Sequence, residues 1–357
     1  MRIGLIANPY SENTPSGLGT SIRELVKHFL LNKEHSFKLF VKGEKLGEIK
    51  KEGENWEMIT LKSSLFWLDF GLPKYKDVDV FVFFTPFFPF FFTPKQSLVI
   101  VRDFGCVQVP ANGLFDFLKK RIIFFIHKRS IKRAKRVVAI SEGIKKEILQ
   151  YCHISPGEID VVYNGLAPLA RLEKESVDAV TKPFFLSVGV VKKRKNVKRV
   201  VEAFISLDDK NKQLVIVGSY GGAYYEEIRH YIEEKKFTDN ILFLGYVSDR
   251  QLAFLYSNAE ALVFPSLVEG FGKPIIEAMS FGTPVITSNT PVLKEVSGGA
   301  AICVNPLSVL EIREALSLVQ DPSTRQDLSL RGKKRSKDFS WEKTAKDLFV
   351  VIKDMLR

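Results

Sequence analysis

The amino-acid sequence predicts an α/β protein made of two Rossmann-like, doubly wound domains. Short apolar runs recur along the chain, and longer segments with helical spacing separate them. Continuous apolar strands that alternate with helices indicate a parallel sheet covered on both faces. This pattern stops at a polar, aperiodic segment and then starts again, and 357 residues exceed what one ordinary core holds. We therefore expect a domain over residues 1–165, a linker over residues 166–183 and a second domain over residues 184–339.

The elements of the first domain follow from its apolar periodicity. Ser21–Leu31 is predicted as a helix because its apolar residues recur at helical spacing. Another helix should begin after Ser141, whose side-chain oxygen can cap it. Short apolar runs predict strands over Arg2–Ala7, Lys38–Val41, Val78–Phe83, Leu98–Val101, Arg136–Ile140 and Asp160–Val162.

The second domain repeats this alternation. Its apolar runs predict strands over Phe184–Val188, Gln213–Val217, Ile241–Leu244, Ala261–Phe264, Pro284–Thr287 and Ala300–Val304. The predicted helices are Asn196–Leu207, Tyr224–Glu234, Asp249–Ser257, one that carries Glu277, Ser308–Gln320, Ser323–Lys337 and Trp341–Leu356. Two such domains are expected to face each other across a cleft, and ligands bind outside the carboxyl ends of the strands.

Composition excludes several classes of protein. Three cysteines without C-x-x-C spacing argue against a disulfide framework or a zinc site and fit a reducing compartment. The N-terminal segment MRIGLIANPY has no long apolar signal region and is predicted to be a buried strand. We therefore expect a cytoplasmic protein, either free or peripheral on the inner face of the cell membrane.

The net charge of +12 is densest in the segment Lys119–Arg136. This segment has nine basic residues, no acidic residue, and Ile and Phe residues between them. One interpretation is a partly buried helix with a solvated basic face. The other is an interfacial helix attracted to an anionic membrane surface. No recognition motif for nucleic acid accompanies the charge, so we expect no nucleic-acid partner.

The segment Phe81–Phe92 contains eight phenylalanines among 12 residues. It is too short to span a bilayer, which needs about 20 apolar residues, and Pro86 and Pro89 would break a helix. Its beginning predicts a buried strand. The remainder is predicted as a loop that is either packed under another segment or presented to a lipid or lipid-linked acceptor.

The clearest site pattern lies in Val263–Ile286, which reads VFPSLVEGFGKPIIEAMSFGTPVI. Glu269 and Glu277 lie eight positions apart, with two glycines and Pro274 between them. A strand that ends in a Gly-rich loop and opens a helix suits an anionic ligand, because helix N-termini expose unpaired N–H groups and a partial positive charge. Pro274 fits the first helical position, where its missing N–H is not needed.

Further motifs accompany this pattern and complete a resemblance. They are Ser16–Thr20 (SGLGT), Val162–Gly165 (VYNG), Val188–Asn196 (VGVVKKRKN) and Phe339–Lys343 (FSWEK). With Phe243–Cys303, these segments resemble the retaining glycosyltransferases of the GT-B fold, in the large family four group that uses nucleotide-diphosphate sugars. The resemblance covers nearly the whole chain. It also implies that a helix over about residues 340–357 packs back on the first domain.

The resemblance implies a role for each charged residue of the site. Glu277 would accept hydrogen bonds from ribose hydroxyls, and Glu269 would sit beside the transferred sugar. Arg194 and Lys195 would stabilise the diphosphate as it leaves, because negative charge builds there in the transition state. Catalysis in this family needs no metal, so we expect no metal site and no cofactor besides the nucleotide-sugar donor substrate.

Backbone contacts with the donor are implied in both domains. Those of the second domain would hold sugar and phosphate oxygens or read the base. Those of the first domain would approach the diphosphate, so catalysis would need closure of the cleft. The residues are Gly270, Phe271 and Gly272 for the oxygens, Tyr246 and Val247 for the base, and Gly17 and Gly19 for the diphosphate.

The chain departs from the family on the acceptor side. Many relatives carry a His-Asp pair at the end of a first-domain strand, where this chain reads Val101-Arg102-Asp103. An arginine cannot exchange protons near neutral pH as a histidine does. Arg102 is then either an acceptor-side residue together with Asp103, or a solvated or structurally paired one. Activity need not be lost, because the leaving phosphate is proposed to take the acceptor proton in this family.

The predicted function is the retaining, metal-independent transfer of a mannose- or glucose-type hexose from a nucleotide-diphosphate sugar to a glycan or lipid-linked acceptor. The alternative is a non-catalytic sugar-nucleotide-binding or scaffolding subunit of the same fold. A nicotinamide-dependent oxidoreductase is not expected, because the Gly-rich turn after the first strand lacks the third glycine of G-x-G-x-x-G.

Overall fold

The structure, a computed structural model, describes residues 1–8, 17–43, 52–62 and 66–357. The described chain divides into two compact units, Met1–Gly165 with Ser340–Arg357, and Leu166–Phe339. Each unit is built on its own sheet. Residues 166–183, which the sequence predicts as a linker, lie in the second unit.

Within the described residues, the first unit has an eight-stranded sheet in the order β3-β4-β2-β1-β5-β6-β7-β8. The strands are β1 (Arg2–Ile6), β2 (Ser36–Lys42), β3 (Glu52–Gly53), β4 (Trp56–Leu61), β5 (Val80–Phe83), β6 (Ser97–Val101), β7 (Arg136–Ala139) and β8 (Ile159–Val161). The helices are α1 (Gly17–Leu30), α2 (Trp67–Gly71), α3 (Gly105–Gln108), α4 (Leu114–Arg133) and α5 (Glu142–Cys152). All pairs are parallel except β3 with β4.

The second unit has a six-stranded parallel sheet in the order β11-β10-β9-β12-β13-β14. Its strands are β9 (Phe184–Val188), β10 (Gln213–Val217), β11 (Ile241–Gly245), β12 (Ala261–Phe264), β13 (Val285–Ser288) and β14 (Ile302–Val304). Its helices are α6 (Val197–Ile205), α7 (Ala223–Glu234), α8 (Asp249–Asn258), α9 (Lys273–Phe281), α10 (Pro291–Ser297), α11 (Val309–Leu318) and α12 (Pro322–Ser336).

The last helix, α13 (Trp341–Leu356), belongs to the first unit. It packs against α1, where the rings of Phe29 and Phe349 lie 4.7 Å apart between centroids. The hydroxyl of Thr344 donates a hydrogen bond to the carbonyl of Tyr163 at 2.8 Å. The chain therefore returns to the first unit after completing the second.

The predicted doubly wound α/β class is confirmed, and each predicted strand appears within two residues of its predicted ends. Apolar periodicity identifies these strands because both faces of each sheet are covered by helices. In the second unit, α6, α7 and α11 contribute to one apolar cluster with the strands, while α8 and α9 contact β9, β12 and β13. Strand β4 and the two-residue edge strand β3 beside it were not predicted, because β4 buries only Leu61 fully and lacks a continuous apolar run.

Candidate functional site

The candidate site lies where the strand order of the second sheet reverses. Strand β9 pairs with β10 on one side and with β12 on the other. Such a switch point leaves a crevice outside the carboxyl ends of the strands, where open α/β sheets bind ligands. The chain that follows β9 carries Arg194 and Lys195, and the loop that follows β12 carries Glu269.

Lys195 and Glu269 form a close and largely buried ion pair. The Lys195 Nζ donates to Glu269 Oε1 at 2.5 Å, and the two side chains are 12% and 10% exposed. The Arg194 Nη1 lies 3.6 Å from the other oxygen of the same carboxylate. The Lys195 ammonium also lies 4.6 Å from the centre of the Phe264 ring, a favourable cation–π contact. The structure therefore brings together the three residues that the sequence predicts as catalytic.

Burial lowers the pKa of Lys195 below its ordinary value. Desolvation of the ammonium is the largest cause, and the nearby Arg194 charge adds to the lowering. Glu269 acts in the opposite direction and raises the pKa of Lys195, but it does not outweigh the desolvation. A second anion at this position would favour the charged ammonium further.

Asn196 ties the two loops of the site together. Its backbone has a φ of 61°, in the left-handed region that asparagine tolerates. Its buried side-chain amide donates to the carbonyl of Pro265 at 3.0 Å and to that of Pro306 at 2.6 Å. The Leu267 N–H donates to the Arg194 carbonyl at 2.8 Å. The positions of the cations are thus set by main-chain anchors that do not depend on a ligand.

Two glycines allow the loops after β9 and β10 to approach closely. Gly189 has a φ of 142°, and a Cβ there would lie 3.1 Å from Lys195 Cε. Gly218 has a φ of 131°, and a Cβ there would lie 2.4 Å from the Gly189 carbonyl oxygen. A side chain at Gly218 would therefore displace the backbone from which the lysine loop starts.

Glu277 lies on α9 and is bound by a residue that sequence reasoning missed. Its Oε2 accepts a hydrogen bond from the Tyr256 hydroxyl at 2.8 Å. Tyr256 belongs to α8 and is fully buried. The two glutamates of the motif therefore have different partners, cations for Glu269 and a phenol for Glu277. The sequence signal for Tyr256 is weak: it is a residue with a polar hydroxyl at a helix position where the pattern predicts an apolar side chain.

The loop Gly270–Gly272 is anchored through one side chain. The Phe271 ring is buried and meets the Phe339 ring edge-on, with centroids 5.6 Å apart. Helix α9 begins at Lys273, so Pro274 occupies the second helical position and not the first. Because the core takes up the Phe271 side chain, a ligand of this loop would meet its main chain. The donor contacts of Gly270, Phe271 and Gly272 stay a prediction.

Tyr246 and Val247 follow directly after β11, at the same end of the sheet as the cations. Tyr246 is 57% exposed. Tyr220, in the loop after β10, is also exposed, and its ring packs against Phe243 at 5.5 Å between centroids. Base recognition by this region stays a prediction.

Gly17 and Gly19 lie in the first turn of α1 and not in a loop that precedes it. The helix therefore starts before the predicted Ser21, because the first turn carries few of the apolar residues from which the start was predicted. Ser16 lies outside the described residues. A helix N-terminus carries partial positive charge, and the approach of Gly17 and Gly19 to a diphosphate stays a prediction.

Arg102 is held by hydrogen bonds within the first unit. Its Nε donates to the Phe84 carbonyl at 3.2 Å, and its Nη1 donates to the Asn164 side-chain oxygen at 3.0 Å. Burial lowers the pKa of Arg102 to about 10, so it stays charged at neutral pH. Asp103 accepts the Gly105 N–H at 2.9 Å where α3 begins. Arg102 is thus structurally paired, and an acceptor-side role for Arg102 and Asp103 stays a prediction.

Comparison with known proteins identifies the family. The model for glycosyl transferases group 1 matches residues 170–335, and the model for glycosyltransferase family 4 matches residues 109–168. The chain belongs to the group 1, family four glycosyltransferases. The first match includes the cation loop and both glutamates.

Two relatives of this chain have named activities. The chain is 33% identical over 212 residues to the O-antigen chain mannosyltransferase RfbU of Salmonella typhimurium, and this match covers 59% of the chain and 57% of the relative. It is 28% identical over 271 residues to the O-antigen chain mannosyltransferase B of Escherichia coli, and this match covers 71% of the chain and 70% of the relative. The match thus spans just over half the length of the first relative.

The solved structures support the GT-B fold of two Rossmann-like domains. Sucrose-phosphate synthase from Thermosynechococcus elongatus superposes with a TM-score of 0.78 at 20% identity, covering 99% of this chain and 98% of that chain. At this identity the likeness shows the fold alone. In the part of the chain that the structure describes, no group of three His, Cys, Asp or Glu residues could hold a metal ion.

The basic segment Lys119–Arg136 is not one solvated face. Helix α4 ends at Arg133, and the last basic residue of the segment lies in β7. Four of the nine basic residues are engaged within the fold: Lys120 with Asp116, Arg129 with Pro89 and Phe90, Arg133 with Phe90 and Thr93, and Arg136 with Asp160. Four others, Lys119, Arg121, Lys132 and Lys135, are exposed.

The Phe-rich loop after β5 is partly packed and partly exposed. Phe84 and Phe88 are buried, and the Phe88 N–H donates to the Ser130 hydroxyl of α4 at 3.0 Å. The Arg129 guanidinium lies 4.8 Å from the centre of the Phe90 ring. Phe91, by contrast, is 77% exposed. Packing therefore holds for Phe84 and Phe88, and presentation of this loop to a lipid or lipid-linked acceptor stays a prediction.

An exposed apolar stripe follows α4. Phe115, Leu118, Ile122 and Phe125 recur at spacings of three and four residues, which places them on one helix face. All four are exposed, and Phe115 reaches 84%. Among the residues with described structure, no helix is both long and apolar enough to cross a membrane. Helix α4 therefore exposes an apolar face beside cations.

Proposed function

We propose that this chain is a retaining hexosyltransferase that moves a mannose- or glucose-type residue from a nucleotide-diphosphate sugar to a glycan or lipid-linked acceptor. The observation that carries the proposal is the cluster of Lys195, Arg194 and Glu269 at the switch point of the second sheet. Two anchored cations suit a diphosphate, and an adjacent carboxylate suits sugar hydroxyls. The named mannosyltransferase activity of the relatives supports a mannose-type donor and a role in polysaccharide or glycoconjugate synthesis.

The chemical task of the cations is to stabilise the leaving group. As the bond between the anomeric carbon and the diphosphate oxygen breaks, negative charge builds on the diphosphate. Interactions that strengthen at this moment accelerate the reaction, whereas equal binding of substrate and transition state does not. Removing one preorganised donor of this kind typically costs about 10²–10³ in rate. The main-chain anchors of Asn196 supply the preorganisation, since they fix the loop before a donor arrives.

The acceptor proton has a destination that needs no protein base. In a retaining transfer the acceptor oxygen attacks the face from which the diphosphate departs, and its proton passes to the departing phosphate oxygen. This route agrees with an arginine at position 102, which stays charged and hydrogen-bonded at neutral pH. No metal or further cofactor enters the proposed reaction, because Arg194 and Lys195 carry the positive charge.

The test uses purified full-length protein and measures donor hydrolysis and transfer. Lys195→Ala and Glu269→Ala should each lower turnover at least about 100-fold. Lys192→Ala is the matched control, because Lys192 lies in the same basic run and is exposed. Turnover that survives the first two substitutions would show that these roles are assigned wrongly.

A non-catalytic relative of the same fold is the second candidate. The observation that favours it is Arg102, which replaces the histidine of many relatives and is engaged in structural hydrogen bonds. A protein of this kind would bind a nucleoside diphosphate but transfer sugar to no acceptor. Donor hydrolysis that depends on Lys195 would exclude it.

The donor can be narrowed by ligand-induced stabilisation. A bound ligand raises the apparent free energy of unfolding in proportion to the logarithm of its concentration over its dissociation constant. A thermal-shift screen of UDP, GDP and ADP sugars should therefore identify the base first and the hexose second. A mannose-type donor is excluded if other nucleotide sugars stabilise the protein and GDP-mannose does not.

We also propose that the protein is cytoplasmic and binds the inner face of the cell membrane through α4. The apolar stripe on α4 offers side chains that can enter the headgroup region, and the exposed Lys119, Arg121 and Lys132 supply charge for anionic lipids. Exposed Phe91, which Arg129 and Arg133 hold beside α4 through the neighbouring carbonyls, extends the same apolar surface. A lipid-linked acceptor would be available at that surface.

Liposome flotation tests this attachment. A Lys119→Gln, Arg121→Gln, Lys132→Gln variant should lose binding to vesicles that contain anionic lipid, since each cation contributes about 1 kcal/mol near such a surface. Arg129 and Arg133 are left unchanged, because they hold the Phe-rich loop. A variant with Lys333, Lys334 and Lys337 of the second unit changed to Gln has the same net charge and should still float. Vesicle binding that changes neither with the salt concentration nor with any of these substitutions would refute the proposal.

A further inference from the structure

A buried tyrosine reaches the functional site from the interior of the second unit. Tyr256 is fully buried on α8, and its hydroxyl donates to Glu277 Oε2 at 2.8 Å. Within the described residues, no other side chain hydrogen-bonds this carboxylate. Glu277 is half-buried, so its side chain is partly accessible.

The tyrosine is itself held firmly. Its ring stacks on Phe281 of α9 with centroids 5.7 Å apart and an angle of 21° between the planes. Its main-chain carbonyl accepts a hydrogen bond from the buried Thr283 hydroxyl. Burial, together with the Glu277 charge, raises the pKa of Tyr256 well above its ordinary value. The phenol therefore stays protonated and acts as a donor to the carboxylate at any ordinary pH.

This arrangement restricts what Glu277 can do. A carboxylate has two oxygens with about four acceptor positions, and a free glutamate side chain samples several rotamers. The phenol occupies one acceptor position on Oε2 and fixes the direction of the group. Oε1 and the remaining position on Oε2 are then left to accept from hydroxyl groups that stand in one fixed geometry, as the two neighbouring hydroxyls of a ribose do.

We propose that Tyr256 is a positioning residue that makes the site select ribonucleotides over deoxyribonucleotides. It touches no substrate and acts through Glu277. The inference rests on the proposed donor site, in which Glu277 binds the ribose. Without the phenol, the carboxylate can turn away from the diol, and part of the affinity that depends on the ribose hydroxyls is lost.

The test compares nucleoside diphosphates that differ only in the ribose. Calorimetric titrations of the full chain use the ribo, 2′-deoxy, 3′-deoxy and 2′,3′-dideoxy forms of the diphosphate that the thermal-shift screen selects. Tyr256→Phe keeps the ring and removes the hydroxyl. We expect it to weaken the ribo form about tenfold, the size of one hydrogen bond to a charged group. Affinity for the dideoxy form should change less than about twofold, so the preference for ribose falls.

Two controls separate the outcomes. Tyr224→Phe removes a hydroxyl of the same unit that accepts the Lys198 N–H at 3.1 Å, and it should leave the ribose preference unchanged. Glu277→Ala should abolish the preference, and if it does not, the proposed donor site itself is wrong. If Glu277→Ala abolishes the preference and Tyr256→Phe leaves it intact, only the inference about Tyr256 fails. Equal weakening of all four nucleotides by Tyr256→Phe would assign it a purely structural role and would also overturn the inference.

Discussion

Replacing Glu269 with glutamine should tighten the binding of a nucleoside diphosphate while turnover collapses. The Glu269 carboxylate lies 2.5 Å from the Lys195 ammonium and 3.6 Å from the Arg194 guanidinium. A diphosphate that binds these cations therefore meets a fixed negative charge beside them. Glutamine keeps the shape of the side chain and removes that charge.

The size of the effect follows from the geometry. A phosphate oxygen in ordinary contact with the Lys195 ammonium, about 3 Å away, would lie about 5 Å from the Glu269 carboxylate. Two unit charges at that distance repel by about 3 kcal/mol at an effective dielectric of about 20. Solvent around the half-exposed Arg194 reduces this repulsion. We expect a gain of at least about 1.4 kcal/mol, which corresponds to about tenfold tighter binding.

The assay is calorimetric titration of the full chain with a nucleoside diphosphate that lacks the transferred hexose. The measured affinity then does not include contacts between Glu269 and that hexose. Glu260→Gln is the matched control. The Glu260 carboxylate lies 2.7 Å from the Lys212 ammonium and 3.9 Å from the Arg325 guanidinium, and both members of the closer pair are 14% exposed. Glu260 precedes β12 and thus lies at the opposite end of the strand from Glu269.

Both glutamine variants should lower the free energy of unfolding, because each leaves a buried lysine without its partner, at a cost of about 3–5 kcal/mol. Only Glu269→Gln should change nucleotide affinity. The gain should shrink in high salt, which screens the remaining cations. Equal or weaker nucleotide binding by Glu269→Gln, with Glu260→Gln unchanged, would refute the electrostatic reasoning.

Three further predictions follow from particular contacts. If protonated Lys195 is needed, kcat/KM should be at its maximum below the lowered pKa of Lys195 and should fall at a pH below 10.5, the ordinary pKa of lysine. Lys195→Arg should move this fall to higher pH, and a pH profile of kcat/KM without a fall would contradict the prediction. Gly221→Ala should lower the free energy of unfolding by about 1–3 kcal/mol in chemical denaturation, because of its φ of 138° alone. Gly218→Ala should lower it by at least about 1 kcal/mol more, because its Cβ also meets the Gly189 carbonyl. Equal losses in the two variants would show that the loops move apart to accommodate the Cβ. Ser141→Ala should remove the N-cap of α5 and lower the free energy of unfolding by about 1 kcal/mol, measured as a lower Tm with unchanged kcat. A loss of kcat would show that Ser141 does more than accept the Ile144 N–H.

The fold was predictable because its signal is local. Every strand covered on both faces is a continuous apolar run, and such runs stand out in the sequence alone. Strand β4 was not predicted because five of its six residues are exposed or half-buried, so it has no continuous apolar run. Helix α1 begins at Gly17, earlier than its apolar residues indicate, because the first turn of a helix need not face the core. Helix α4 has an apolar stripe exposed to solvent, so its apolar residues do not indicate which of its faces is buried.

By itself the sequence determined the α/β class and the family and supplied the charged residues of the candidate site, since these depend on apolar periodicity and on motifs within short segments. Only the tertiary structure decided how those residues are paired. Lys195 and Glu269 are 74 positions apart, and Tyr256 and Glu277 are 21 apart. Their contacts arise from the reversal of strand order beside β9 and from the packing of α8 on α9, and no local pattern encodes either. Burial depends on the same packing, and it is burial that lowers the pKa of Lys195 and keeps the phenol of Tyr256 a donor.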